Sequence, residues 1–184
     1  MQNVEKRERV QSSFEWVDAL VSAVVIVVLL FTFLFRTIGV EGTSMSPTLS
    51  NGDRLIVTHL FYQPAPGDIV VIVQPESDTP AIIKRIIAVE GQTVDINFSF
   101  GTVTVDGQVL EEPYINEPTY MKRDVNFPVT VPQGCVFVMG DNRLNSHDSR
   151  KRDISCVSEK DLMGKAVFRL WPFSHIGGLY NYGG

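Results

Sequence analysis

The chain has 184 residues, with 16 Lys and Arg against 21 Asp and Glu, and a formal net charge of −5. That acidic balance, with no basic stripe along the sequence, argues against nucleic acid as a partner, because such binding leans on clustered Lys and Arg. Two cysteines without a CxxC, and three histidines scattered at His59, His147 and His175, lack zinc-ligand spacing, so neither a metal nor another cofactor is expected.

Residues 1–15 read as a polar tail carrying Lys6, Arg7 and Arg9. From Ala19 to Phe35 the chain runs ALVSAVVIVVLLFTFLF without a charge. With its flanks this makes a segment over residues 16–37. As a helix it is about 30 Å long, the thickness of a bilayer's hydrocarbon core. Trp16 suits the wet edge of such a span. The stretch that follows, Arg36-Thr37-Ile38-Gly39-Val40-Glu41, has no small-x-small cleavage pattern, so the segment is expected to stay as a single-pass anchor. The excess of Lys and Arg before it places the N-terminus in the cytoplasm. Residues 38–184 then lie on the outer face of the cell membrane.

Ser44, nine residues beyond the apolar run, lies in Gly42-Thr43-Ser44-Met45-Ser46-Pro47-Thr48-Leu49. Gly42 admits close approach of the backbone, and Pro47 fixes the chain direction. This suits a nucleophilic serine on a rigid turn, and it also suits an ordinary loop. A serine needs a neighbouring base to become reactive.

The apolar residues that follow recur with a period near two. Strands are expected over Arg54–Thr58, Asp68–Val73, Ala81–Val89, Thr102–Val105, Cys135–Met139 and Lys165–Leu170. Asp106-Gly107 between Val103-Thr104-Val105 and Gln108-Val109-Leu110 marks a hairpin. Residues 111–132 are rich in Pro, Asn and charge and read as a surface excursion, and Asp161-Leu162-Met163 reads as a short helical turn. The fold class is therefore mainly β: one membrane helix, then one β-rich domain over residues 38–184.

Lys84 lies inside the third of these strands, in Ile82-Ile83-Lys84-Arg85-Ile86-Ile87. Alternation puts Ile82, Lys84 and Ile86 on one face and Ile83, Arg85 and Ile87 on the other. Burial among aliphatics disfavours the ammonium, and a neutral lysine can take a serine's proton. The plain alternative is a lysine that snorkels from an edge strand. His147 and Asp148 are adjacent and would point to opposite faces, which rules out a relay of the two. The polar block Gly140-Asp141-Asn142-Arg143-Leu144-Asn145-Ser146-His147-Asp148-Ser149-Arg150 follows an apolar strand. Read alone, it is a capped surface turn. Cys135 and Cys156 suit either one disulfide or two buried thiols.

Taken together, the ordered motifs resemble type I signal peptidases in their compact Gram-positive form. The motifs are the anchor, Ser44-Met45-Ser46-Pro47-Thr48-Leu49, Gly67-Asp68-Ile69-Val70-Val71, Lys84-Arg85-Ile86-Ile87-Ala88-Val89-Glu90-Gly91 and the block from Gly140 to Arg150. The resemblance implies a β-rich catalytic fold shared with self-cleaving repressors, and a serine endopeptidase that removes signal peptides from exported precursors at small-x-small sites. It implies Ser44 as nucleophile, Lys84 as general base, and Ser146 as the hydroxyl that bonds Lys84 and aims its amine. The Ser44 N–H would donate to the oxyanion. A second donor found in some relatives falls at Gly42, which has no side chain. Asp148, Arg150 and Arg85 would form a bracing ion-pair network, with Asp141 in the same block. Ile38, Val40, Met45, Leu49, Ile82 and Ile83 would line shallow pockets. Leu144 departs from the acidic residue common at its position. The implied partners are signal-peptide-bearing precursors, the lipid bilayer and the export translocase nearby. Two rivals differ testably: a self-cleaving protease would carry a DNA-binding region in place of the anchor, and a binding module would tolerate loss of Ser44 or Lys84.

Overall fold

In the computed structural model the described residues are 16–29, 34–74 and 81–180, and the chain divides into two units, Met1–Arg36 and Thr37–Gly184. Residues 16–29 are helical, and their apolar side chains, from Val17 to Leu29, are exposed. Among the described residues no helix is long and apolar enough to cross a membrane. The expected tail, 1–15, and residues 30–33 of the expected anchor lie outside the described residues. The anchor reading needs one correction at its end, where Phe35–Gly39 is a strand, β1. The β-branched pair Thr37-Ile38 favours extended backbone and takes the last residues of the 16–37 segment out of any helix.

The second unit is mainly β, as expected. Four predicted strands are found with their expected bounds: β2 (Arg54–Thr58), β4 (Ala81–Val89), β6 (Thr102–Val105) and β9 (Cys135–Met139). β3 runs over Ile69–Val73, one residue shorter than expected. The hairpin at Asp106-Gly107 joins β6 to β7 (Gln108–Val109), with Asp106 at φ 51° and Gly107 at φ 78°, the left-handed pair such a tight turn requires. Besides β1 and the short last strand, three more were not anticipated: β5 (Thr93–Asn97), β8 (Val129–Thr130) and β10 (Val157–Ser158). The last long strand, β11, covers Leu162–Trp171 and pairs with β12 (Gly177–Gly178). It absorbs Leu162 and Met163, so the short helical turn sits earlier, at Glu159–Asp161, capped by the Ser158 side chain.

These strands form two sheets. The larger has the order β1-β2-β11-β3-β4-β9-β10, and the smaller β7-β6-β5-β8. Ile87, Ala88, Phe137 and Met139 of the first sheet pack with Val94, Ile96 and Val103 of the second in one buried cluster. On the other side of β4, Ile82 and Ile86 face a cluster of Val70, Ile72, Val136 and Val138, while Ile83 faces Val57, Ile69 and Val71. β4 is therefore an interior strand with apolar residues on both faces, flanked by β3 and β9. Lys84 pairs with Val70 of β3 in its middle. That position strips water from the amine.

Candidate active site

Three segments converge on Lys84. The first is the turn after β1. Gly42 adopts φ 85°, open to glycine and rarely to other residues, and its N–H bonds Asn51 Oδ1 at 2.9 Å. Ser46 N–H bonds Thr43 O and Leu49 N–H bonds Met45 O, closing one helix-like turn that presents Ser44. The second is β4 itself. The third is the polar block after β9, whose Asn142 N–H bonds Ser44 O at 3.0 Å. Asn142 Nδ2 bonds Thr43 O, Asn145 Nδ2 bonds Thr43 Oγ1, and Thr48 Oγ1 donates to Asp141 Oδ2 at 2.5 Å. The serine turn is thus clamped from both ends by one block.

Lys84 Nζ lies 2.8 Å from Ser44 Oγ and 2.9 Å from Ile83 O. The lysine is 3% exposed. Burial lowers its pKa from 10.5 to about 8, against the opposing pull of Asp148 and Asp141. One amine hydrogen is held by the Ile83 carbonyl, so the neutral amine can turn its lone pair toward the serine hydroxyl. This arrangement can deprotonate Ser44.

The supporting charges include two buried ion pairs. Arg85 binds Asp141 through two bonds of 2.8 and 2.6 Å, and Arg150 binds Asp148 through two of 2.8 Å. All four are buried. Burial by itself would raise the Asp148 pKa, but the bonds and charge of Arg150, with the Gly140 N–H, overcome it and hold it low. His147 pairs with Asp153 at 2.6 Å near the solvent, which leaves Asp148 to Arg150.

Ser146 is 4% exposed and lies beside Asp148, but its Oγ reaches hydrogen-bond geometry with no atom of the described residues, so the expected bond to Lys84 is not made in this structure. Its position depends on Gly140. A Cβ built there would stand 2.3 Å from Ser146 Oγ and 2.4 Å from Ser44 O. Gly140 is thus the contact point between the serine turn and Ser146. The signal for it was present in the sequence only as the glycine ending an apolar strand.

Ser44 and Lys84 open into a groove of about 1060 Å³ with Gly42, Thr43, Ile72, Ile82 and Asn145 in its wall. Of the six residues expected to line pockets, Ile82 does so. Val40, Met45, Leu49 and Ile83 belong to the aliphatic core, with Ile38 packed against it. His147, Asp153, Ile154 and Cys156 also line the groove and were not anticipated, because they come from loops without periodic patterning. Cys135 and Cys156 are free thiols, and burial, then the hydrogen bond between the Cys135 thiol and Cys156, pushes the Cys135 thiol up to about 11. Leu144 is exposed at the rim of its turn.

A serine hydroxyl against a desolvated amine, at the wall of an open groove, defines the class as a candidate serine hydrolase. Residues 13–171 match the family described as signal peptidase, peptidase S26. A probable signal peptidase I-1 of Synechocystis sp. is 41% identical, covering 91% of this chain and 87% of its own. A signal peptidase I of Bacillus licheniformis is 38% identical over 90% of this chain and 92% of its own, and signal peptidase I T of Bacillus subtilis is 37% identical over 95% and 94%. The chain belongs to the signal peptidase family, peptidase S26, and is a serine peptidase of the type I signal peptidase class.

Proposed function

We propose that this protein is a membrane-anchored endopeptidase that removes N-terminal signal peptides from exported precursors by acyl transfer through a Ser44–Lys84 dyad. The single observation that carries the reading is the 2.8 Å contact between Lys84 Nζ and Ser44 Oγ, made by an amine whose pKa lies near 8. Neutral Lys84 takes the Ser44 proton as Oγ attacks the scissile carbonyl. The resulting ammonium gives that proton to the leaving amine, and the same lysine then activates the water that releases the acyl group.

The Ser44 N–H accounts for one oxyanion donor, and such a donor lowers the barrier by about 3–4 kcal/mol. Gly42 offers no hydroxyl, and its N–H is taken by Asn51, so a second donor comes from water or another backbone group. Ser146, buried beside Asp148, turns its hydroxyl to the protonated amine during the reaction. Arg85, Asp141, Asp148 and Arg150 hold the block that positions Ser44. Ile38, Val40, Met45, Leu49, Ile82 and Ile83 shape the small-residue subsites, Ile82 from the groove wall and the others by limiting its depth. The apolar segment that begins at Trp16 and ends before β1 anchors the chain, the N-terminus is cytoplasmic, and the β-rich domain acts on the outer face beside the export translocase.

The test is incubation of the purified full chain with a membrane-embedded precursor. Cleavage after the small-x-small site, lost in Ser44→Ala and in Lys84→Arg, is the expected result. Arg fails because a guanidinium stays protonated. Wild-type turnover by either variant at the same bond would end the dyad reading.

A further inference from the structure

Tyr114 lies in the segment after β7, outside every motif used so far. Its ring is 8% exposed. Arg85 Cζ stands 3.9 Å from the ring centroid, and Arg143 Cζ stands 6.0 Å from it. Tyr114 Oη donates to Glu112 Oε1 at 3.2 Å, and the same carboxylate grips Arg143 with bonds of 3.0 and 2.5 Å. Arg85 in turn holds Asp141, and Asp141 accepts the hydrogen bond of Thr48 in the serine turn.

We propose that Tyr114 is a positioning residue of the active site, its ring pressing the Arg85 guanidinium onto Asp141, the aspartate that holds the serine turn through Thr48, so that the field of Asp141 at Lys84 is compensated. A buried guanidinium over an aromatic face is attracted by the ring quadrupole, and the planar fork leaves its edge free for the carboxylate. Without the ring, Arg85 gains room to leave the bidentate geometry. Asp148, kept by Arg150, still acts most strongly to favour the ammonium, and Asp141 then adds to it with less compensation, in the direction it already acts. The chemistry asks for the opposite. The inference rests on the reading of Lys84 as the general base, and it gives residues 111–132 a part in the active site through the Tyr114 ring.

The experiment measures kcat/KM against pH for the full chain in detergent, on a fluorogenic peptide with Ala at both small-residue positions. Tyr114→Met fills similar volume without a π face, and Tyr114→Phe keeps the face and loses the hydroxyl. In Tyr114→Met the acid limb should move up by about half a pH unit or more, an activity loss of about threefold at pH values below it. Tyr114→Phe should keep the wild-type limb. Thermal unfolding on the same preparations confirms folding, and Tyr114→Leu replaces the Met variant if that variant does not fold. An unmoved limb in a folded Tyr114→Met, or an equal shift in Tyr114→Phe, would overturn the proposal. A wild-type profile with no acid limb would instead reject Lys84 as the base. The two failures are therefore told apart by the wild-type curve.

Discussion

Replacing Lys84 with methionine should abolish turnover and make the protein more stable at neutral pH. Lys84 sits in an interior strand, 3% exposed, with Ile82 and Ile86 on its own face. Its pKa falls from 10.5 in the open chain to about 8 in the fold. The folded state therefore binds fewer protons than the unfolded state between those values, and stability rises with pH across that window. Below pH 8 the fold carries the full cost of the charged amine, about 3 kcal/mol. Methionine has no charge to desolvate and a similar length, so it removes this term at a cost of about 1 kcal/mol for the lost bonds to Ser44 and Ile83. The pH dependence is the sharper test, because packing differences cancel from it. The advantage of Lys84→Met over the parent should shrink by about 2–3 kcal/mol between pH 7 and pH 10. Denaturant unfolding of both proteins at several pH values measures this directly. A difference that stays constant over that range would refute the claim that burial depresses this lysine.

Other outcomes follow from the same geometry. With Lys84 titrating near pH 8, kcat/KM should climb about tenfold per unit below that pH and level above it, and a flat profile from pH 6 to 8 with chemistry limiting would exclude a lysine base. Gly140→Ala places a methyl 2.3 Å from Ser146 Oγ and 2.4 Å from Ser44 O, and it should cut turnover by about 100-fold or more while the chain stays folded. Unchanged turnover there would mean the serine turn and Ser146 need no contact. Ser146→Ala should weaken turnover less than loss of Ser44 or Lys84 and change thermal stability little, since its hydroxyl makes no bond of good geometry among the described residues. A destabilised variant with full turnover per folded molecule would return Ser146 to a structural role. Peptides with Phe or Trp at either small-residue position should resist cleavage, and equal processing of these and Ala peptides, measured by mass, would reject narrow subsites.

The parts legible in the sequence were those set by short-range patterning. β2, β4, β6 and β9 were found at their expected bounds because each is a short run rich in β-branched and other apolar residues between breakers. β5 escaped because Thr93-Val94-Asp95-Ile96-Asn97 carries only two apolar residues, although its partner β6 follows after a turn of residues 98–101. The meeting of Ser44 with Lys84 was legible only through motif order, since nothing local to either residue specifies the other. Alternation correctly split Ile82 from Ile83 but could not say which face was a groove wall and which was core. Only the seating of Val40, Met45 and Leu49 against β2 and β3 decides that. Ser146 was placed in the right neighbourhood, yet its hydrogen bonding depends on a rotamer, which no sequence pattern sets. Tyr114 left no signal because its contacts with Arg85 and Arg143 are long-range and side-chain only.

The buried charges bear on one requirement. A lysine base near neutral pH needs a dry surrounding, yet the turn that carries Ser44 is held by polar side chains that would normally bring water and charge with them. Here the carboxylates Asp141, Asp148 and Glu112 each meet their own arginine in a two-bond pair: Arg85, Arg150 and Arg143. Each pair is close to neutral as a unit and satisfies most of its own hydrogen-bonding capacity, so it can be buried without drawing solvent to Lys84. The residual fields of Asp148 and Asp141 still raise the lysine's pKa, and desolvation outweighs them. Removing one partner of a pair would upset this balance twice, by leaving a buried charge uncompensated and by shifting the proton affinity of the base. That coupling explains why the block after β9 is dense in charge while the amine it surrounds is poised to be neutral.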